Sequence, residues 1–105
     1  MDKETWALLK ENFTEFEFIE SRYYRLREIE NNRYEMACIL LGPCGDKTYH
    51  PQITVTVEEE VTPLTLIDTE VVPNVYLTRE TQPQQLQQAL DKLVADFLQA
   101  KNLAL

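Results

Sequence analysis

The sequence predicts an α+β fold: one small domain with an N-terminal helix, an antiparallel sheet of about four to five strands, and a C-terminal amphipathic helix packed on that sheet. Apolar residues recur at helical spacing near both ends of the chain, whereas the middle alternates apolar and polar residues as a strand does. Only two glycines, Gly42 and Gly45, occur, and no linker-like segment interrupts the chain. A single domain covering residues 1–105 is therefore expected.

The first element is predicted to be a helix from about Asp2 to Asn12. Asp2 is a residue type that caps helix N-termini, and Trp6, Leu9 and Phe13 recur at the spacing of one helical face. From residue 14 to about residue 30 two alternatives remain open, a continuation of this helix or a change to strands. The abundance of Tyr, Phe and Ile in that segment favours strands.

A hairpin is predicted at the dipeptide Asn31-Asn32, because asparagine tolerates the positive φ that two-residue hairpin loops require. Such a loop places Leu26 opposite Ala37 and Tyr24 opposite Ile39. These four residues are then expected to share the face of the sheet that meets the core.

Four strands are indicated after the Asn31-Asn32 loop. The strand that follows the Asn31-Asn32 loop is apolar on both faces from Met36 to Leu41, which predicts a central position in the sheet. The alternation from Ile53 to Val57 predicts the next strand. "LTLID" and "VVPNVYLT" add two short ones, and Pro73 indicates that the last is an edge strand or is interrupted.

The C-terminal helix is predicted from both its start and its apolar face. Thr81 and Gln84 match a capping box, and Pro83 falls in the first turn, where its missing N–H costs little. The apolar face consists of Leu86, Ala89, Leu90, Leu93, Val94, Phe97 and Leu98. This face is expected to pack on the sheet, and two helices on the same side would leave the other side free for a second subunit.

Composition argues against several function classes. The chain has 18 acidic and 10 basic residues, and its net charge of −8 opposes binding to nucleic acid or to an anionic membrane. Its longest apolar run, Met36 to Leu41, is far shorter than the roughly 20 residues that cross a bilayer. The N-terminus lacks a secretory-signal pattern, and Cys38 and Cys44 are too few for a disulfide framework. A cytoplasmic location is expected.

No pattern indicates an enzyme, a cofactor or a metal site. Cys38, Cys44, Asp46 and His50 are residue types that bind zinc, but they lack the closely spaced pair that preorganises such a site. His50 is the only histidine and Ser21 the only serine, so a Ser-His-Asp triad would need this pair. Glycine-rich phosphate loops are absent. We expect a non-enzymatic protein with no cofactor and no evident small-molecule ligand.

Positive charge is concentrated in "SRYYRLREIENNRY", where four arginines and two glutamates give +2 and leave −10 for the rest of the chain. Tyr23, Arg25 and Arg27 alternate on the side of a strand away from the core, and Arg33 and Tyr34 follow the loop. Three interpretations remain open. The segment is a protein interface, a surface for nucleic acid, or a set of arginines paired with glutamates across strands.

The stretch "QITVTVEEEVTP" ends a strand in three glutamates, Glu58, Glu59 and Glu60. Adjacent strand residues point to opposite faces, so the three cannot converge on one cation without a bulge. They are interpreted as the solvated end of the strand, with an acidic strip for a partner as the alternative. Glu59 has the parity of the core-facing valines and is expected to lie at the rim, follow a bulge or meet an arginine.

The leading hypothesis is a small acidic protein-interaction module, an adaptor, chaperone-like or assembly subunit of bacterial or phage type that forms a homodimer. The alternative is an acidic inhibitor or immunity-type protein that covers a basic site on a partner enzyme. The candidate interface residues are Tyr23, Arg25, Arg27, Arg33, Tyr34, Glu58, Glu59 and Glu60.

Overall fold

A computed structural model describes residues 1–103 of the chain. Six strands form one antiparallel sheet in which each strand pairs with the next along the chain. The elements are α1 (Lys3–Asn12), β1 (Glu17–Ile19), β2 (Arg22–Glu30), β3 (Arg33–Leu41), β4 (Lys47–Val57), β5 (Val61–Asp68), β6 (Val75–Thr78) and α2 (Pro83–Ala100). The predicted fold class and element order are confirmed, with a slightly higher strand count than expected.

Helix α1 is capped as predicted. The Asp2 carboxylate accepts a hydrogen bond from the backbone N–H of Thr5 at 2.8 Å, and this bond lowers the pKa of the Asp2 carboxyl. The helix ends before Phe13, whose backbone is extended, so the alternative of a helix continuing to about residue 30 is wrong. Trp6, Leu9 and Phe13 are buried and form the predicted apolar face.

A turn without a recognisable signal divides the predicted strand region into β1 and β2. Glu20 and Ser21 both adopt positive φ, 48° and 74°. Two such residues satisfy a type I′ turn, whose twist matches that of the flanking strands. The strands therefore pair residue for residue, beginning with Ile19 opposite Arg22. Neither turn residue is Gly or Asn, which is why this turn and the extra strand were missed.

The predicted loop at Asn31-Asn32 is confirmed, but the register derived from it is wrong. Only Asn32 has a positive φ, 61°, so the loop does not meet the type I′ requirement. The pairing accommodates this with a β-bulge, in which Ile29 has no partner on β3. Beyond the bulge Leu26 lies opposite Met36 instead of Ala37, and the pairing of every later residue shifts with it.

Tyr24 accordingly lies opposite Cys38 instead of Ile39. Because side chains alternate between faces, this shift moves Ala37 and Ile39 to the opposite side of the sheet from Leu26 and Tyr24. The expectation that these four residues share the core face is wrong. The predicted central position of the apolar strand is correct, since β3 lies between β2 and β4.

Both helices pack on one side of the sheet. Phe13, which follows α1, and Phe97 of α2 contact each other with ring centroids 4.7 Å apart, and both contact Tyr24 of β2. One buried cluster joins the helices to the sheet. Its members are Trp6, Leu9, Phe13, Tyr24, Leu26, Met36, Cys38, Ile53, Val55, Val61, Leu66, Leu86, Leu90, Leu93, Val94 and Phe97. Each strand from β2 to β5 contributes to it.

Helix α2 keeps its predicted apolar face but not its predicted cap. Gln82 is the N-cap residue and Pro83 the first residue of the helix, so the box between Thr81 and Gln84 is not formed. The Thr81 hydroxyl instead contacts the hydroxyl of Thr78 at 2.6 Å. Proline is favoured at the first helical position, and this preference sets the start one residue later than a Thr81 cap would.

The remaining strand predictions are confirmed. Ile53 and Val55 are buried in β4, and β6 is an edge strand that begins after Pro73. Within residues 1–103, neither helix combines the length and the apolar character that crossing a membrane requires.

Lys101, which follows α2, forms an ion pair with Glu17 at the start of the sheet. Its ammonium donates to a Glu17 carboxylate oxygen at 2.8 Å and to the backbone carbonyl of Asn12, and it lies 4.7 Å from the centroid of the Phe13 ring. The hydrogen bond from Lys101 lowers the pKa of the Glu17 carboxyl and outweighs burial, which raises it. The ion pair therefore stabilises the folded chain when Glu17 is ionised.

We predict a pH-dependent loss of stability in the variant Glu17→Gln. A folded-state pKa below the ordinary glutamate value of about 4.3 stabilises the protein above that pH, and this contribution disappears as the pH falls through the folded-state pKa. The variant should be less stable than wild type by about 1 kcal/mol near neutral pH and equally stable in strong acid. Urea unfolding at both pH values measures the difference, and a difference independent of pH would contradict the assignment.

Candidate interaction surface

We call the side of the sheet that neither helix covers the open face. On β3 its residues include Glu35, Ala37 and Ile39, which alternate with the core residues Met36 and Cys38. All three open-face residues are nonetheless almost completely inaccessible to solvent. The side chains of neighbouring strands must therefore cover β3 in place of a helix.

Long side chains on β2 and β4 provide this cover. Tyr23 and Tyr49 lie on either side of Ile39, and Arg25 and Gln52 lie on either side of Ala37. Each flanking side chain is partly buried. Long amphipathic side chains bury their apolar parts and keep their polar ends in water, so this layer presents a mixed polar and aromatic surface.

Glu35 lies at the centre of a charged cluster. Its side chain accepts a hydrogen bond from Arg25 at 3.1 Å through one oxygen, and two from Arg27 at 3.0 and 2.9 Å through the other. The bulge places Arg27 directly opposite Glu35. The side chain of Glu35 is 2% exposed, so both arginines are needed to offset the cost of burying its charge.

The cluster carries a net charge of +1, and its cations differ in accessibility. The side chain of Arg25 is 12% exposed, and its Nε has no hydrogen-bond partner among the described residues. The side chain of Arg27 is 41% exposed. Three arginines of the basic segment are thus paired with glutamates, which was one of its three interpretations. Arg25 and Arg27 pair with Glu35, and Arg33 pairs with Glu30 at 3.0 Å. Arg27 still presents positive charge to solvent.

Aromatic rings lie beside this cluster at the β1 edge of the sheet. Phe16 stacks on Tyr23 with ring centroids 4.5 Å apart, and Phe18 contacts the same ring at 4.8 Å. The Phe16 ring also has the Arg25 guanidinium at 5.5 Å and the Lys47 ammonium at 5.6 Å from its centroid. Phe16 and Phe18 are 41% and 61% exposed, a large area of aromatic surface in water.

The opposite edge of the open face also exposes an aromatic residue. Tyr76 of β6 lies across from Ile67 of β5, and it is 60% exposed. Between the two aromatic edges the face is polar and lined mainly by partly buried threonines. These are Thr54, Thr56, Thr62, Thr65 and Thr78.

The candidate interface residues do not all lie on this face. Tyr23, Arg25 and Arg27 do, but Tyr34 lies on the helix side, where its ring contacts Trp6 at 4.9 Å and its hydroxyl accepts a hydrogen bond from Lys10 at 3.1 Å. Sequence reasoning placed Tyr34 with the arginines because it is close to them in the chain. Phe16 and Phe18 were not selected, although their alternation was the available signal.

Glu58, Glu59 and Glu60 form the turn between β4 and β5. All three are exposed, and the backbone N–H of Glu58 donates to the carbonyl of Glu60 at 3.2 Å. Glu59 therefore lies at the rim of the sheet, one of its three expected environments. The glutamates mark the end of β4 and leave an acidic tip beside Thr56 and Thr62.

The residue types considered for zinc are dispersed. Cys38 belongs to the core, where burial raises the pKa of its thiol, whereas Cys44 is exposed in the turn after β3. The imidazole of His50 contacts the Asp68 carboxylate at 2.8 Å. Among residues 1–103 no three His, Cys, Asp or Glu side chains are grouped so as to hold a metal ion.

We predict that Glu35→Gln destabilises the fold by about 3 kcal/mol, because it keeps the side-chain shape but leaves the largely buried Arg25 without a compensating charge. The matched control is Glu30→Gln, which removes the same charge from the exposed pair with Arg33 and should cost less than about 1 kcal/mol. Urea unfolding near neutral pH measures both. Equal losses in the two variants would show that the Glu35 cluster is no more important than a surface pair.

The chain was also compared with models of known protein families, with curated proteins and with solved structures, and none of the three comparisons finds a match. No function can therefore be transferred from a relative. The chemistry of its own surfaces is the basis on which a function is assigned.

Proposed function

We propose that this protein is a small non-enzymatic interaction module whose open face binds a second copy of the chain. The observation that carries the proposal is the exposure of three aromatic residues, Phe16, Phe18 and Tyr76, on a sheet face without a helix. Aromatic residues and arginine are enriched in protein interfaces, and the open face combines both. On the helix side of the same sheet, the buried apolar residues of β2 to β5 are covered by α1 and α2.

The size of the open face suits a stable dimer. Six strands about 4.8 Å apart form a surface more than about 20 Å wide. The molecule measures 41 × 33 × 24 Å along its principal axes. A standard interface buries about 800 Å² on each partner, which is within the area of such a face.

Local charge complementarity favours a second copy as the occupant, although the net charge is negative on both copies. The chain has a net charge of −8, whereas the Glu35 cluster at the centre of the open face is positive and Arg27 is accessible. The tip formed by Glu58, Glu59 and Glu60 lies at the rim of the same sheet. In a two-fold interface each contact occurs twice, so an Arg27 contact with the acidic rim of the other copy stabilises both subunits equally.

We extend the proposal to the role expected from the sequence, an adaptor, chaperone-like or assembly subunit of bacterial or phage type in the cytoplasm. Cys38 and Cys44 are both free thiols, which supports a reducing compartment. The dimer would present its outer surfaces, including the helices, to further proteins.

We predict that the protein has twice the 12.3 kDa chain mass in light scattering and that Phe18→Ser with Tyr76→Ser converts it to a monomer. Removing two exposed aromatic contacts should weaken the dimer by at least about 30-fold, the loss typical of one interface hot spot. Val72→Ser is the matched control, because Val72 is 95% exposed but precedes β6 in a loop.

The control should remain dimeric. A wild-type protein that stays monomeric at high concentration would overturn the proposal, and so would a dimer that persists in the double variant. A monomer that instead binds a basic enzyme through Glu58, Glu59 and Glu60 would support the inhibitor alternative in its place.

A further inference from the structure

We propose that a cleft on the helix side of the sheet binds a small monocarboxylate with an apolar body. The cleft lies between α2 and the ends of β4, β5 and β6 that are close to the loop before Val75, and it has a volume of about 520 Å³. Small-molecule sites typically measure about 300–1,000 Å³. The cleft does not involve the open face, so this inference is independent of the proposed dimer.

The cleft has an apolar floor, and charged or ionisable residues make up part of its walls. Leu66 and Leu93 form part of the floor and are buried, whereas Val71 and Val75 lie at the mouth and are more than one third exposed. Ala89 is the smallest residue on the apolar face of α2, and it lines the cleft. Its short side chain leaves space between the helix and the edge strand, where a ligand body of a few carbon atoms can remove apolar surface from water.

Two cations reach the mouth of the cleft from different elements, Arg22 from β2 and Lys92 from α2. Within the described part of the chain, neither forms a salt bridge with a carboxylate. Asp96 also lines the cleft, one helical turn after Lys92, and offsets one of the two positive charges. With Asp68, the cleft has two cations and two carboxylates, which sum to zero in a protein whose net charge is −8.

The fourth charged residue of the cleft is engaged within the chain. One Asp68 oxygen lies 2.8 Å from Nδ1 of His50, and the other accepts a hydrogen bond from the backbone N–H of Glu70 at 3.0 Å. These two contacts engage both Asp68 oxygens and orient the imidazole, so that Nε2 is the ring nitrogen left for a ligand. A polar group beside an apolar floor orients a bound molecule.

The ligand class follows from these groups. Arg22 and Lys92 have no salt-bridge partner among the described residues and can share one ligand carboxylate, Arg22 with two parallel hydrogen bonds and Lys92 with one. A diphosphate or nucleotide fits less well, because such groups are often bound by the backbone N–H groups of glycine-rich loops. The two glycines of this chain, Gly42 and Gly45, lie in the turn after β3 and do not line the cleft.

A titration of the full-length ¹⁵N-labelled protein followed by NMR tests the proposal. The probes are 3-phenylpropionate and octanoate, each compared with its neutral primary amide. We expect millimolar carboxylate to shift the backbone resonances of Leu77, Ala89 and Lys92, and each amide to bind about tenfold more weakly because it lacks the charge. Equal binding of acid and amide would overturn the proposal, as would the absence of shifts at the cleft with both acids.

Three variants locate the binding site. Arg22→Gln and Lys92→Gln should each weaken carboxylate binding by about tenfold, whereas Lys3→Gln removes the same charge from α1 and should leave binding unchanged. Ala89→Phe should abolish binding by filling the cleft. If Ala89→Phe does not fold, the two charge variants still decide the matter, because wild-type affinity in both would exclude the cleft.

Discussion

One unpaired residue, Ile29, determines which side chains of β3 meet the helices and which meet the open face. Because strand residues alternate in direction, a shift of one residue in pairing exchanges the two faces. Without the bulge Glu35 would lie opposite Glu28 on the helix side, where two carboxylates would be forced together among apolar residues. With the bulge, Met36 enters the core and Glu35 lies opposite Arg27.

The same shift explains why the side chains of β3 on the open face are buried, although both helices lie on the other side of the sheet. Glu35 recruits Arg25 and Arg27, and the aliphatic parts of such side chains, with Tyr23 and its aromatic neighbours, shield β3 from water. The cover is complete over the middle of the face but leaves aromatic rings exposed at both edges. The open face is therefore stable in a single chain and still suited to a partner, while the cleft beside α2 is a separate surface.

The features that could be predicted from the sequence are those that neighbouring residues determine. The cap at Asp2, the apolar face of α2 and the alternation in β4 are local patterns, and the structure confirms them. Alternation also placed Tyr23, Arg25 and Arg27 together on one face. The bulge could not be predicted, because it depends on the twist of two long strands and on a turn in which only one residue has a positive φ. Neither feature is visible as a local sequence pattern. Glu35 was missed as a consequence of that register error, and the cleft was missed because its lining comes from distant parts of the chain.

The central claim is that the bulge at Ile29 brings Glu35 to the two arginines. The most direct test is a measurement of cross-strand backbone NOEs between β2 and β3. Paired strand residues lie about 4.5–5.5 Å apart between Cα atoms, within reach of this measurement. The account predicts contacts between Leu26 and Met36 and between Arg27 and Glu35. Contacts between Leu26 and Ala37, with Glu28 opposite Glu35, would show a regular two-residue hairpin and contradict it.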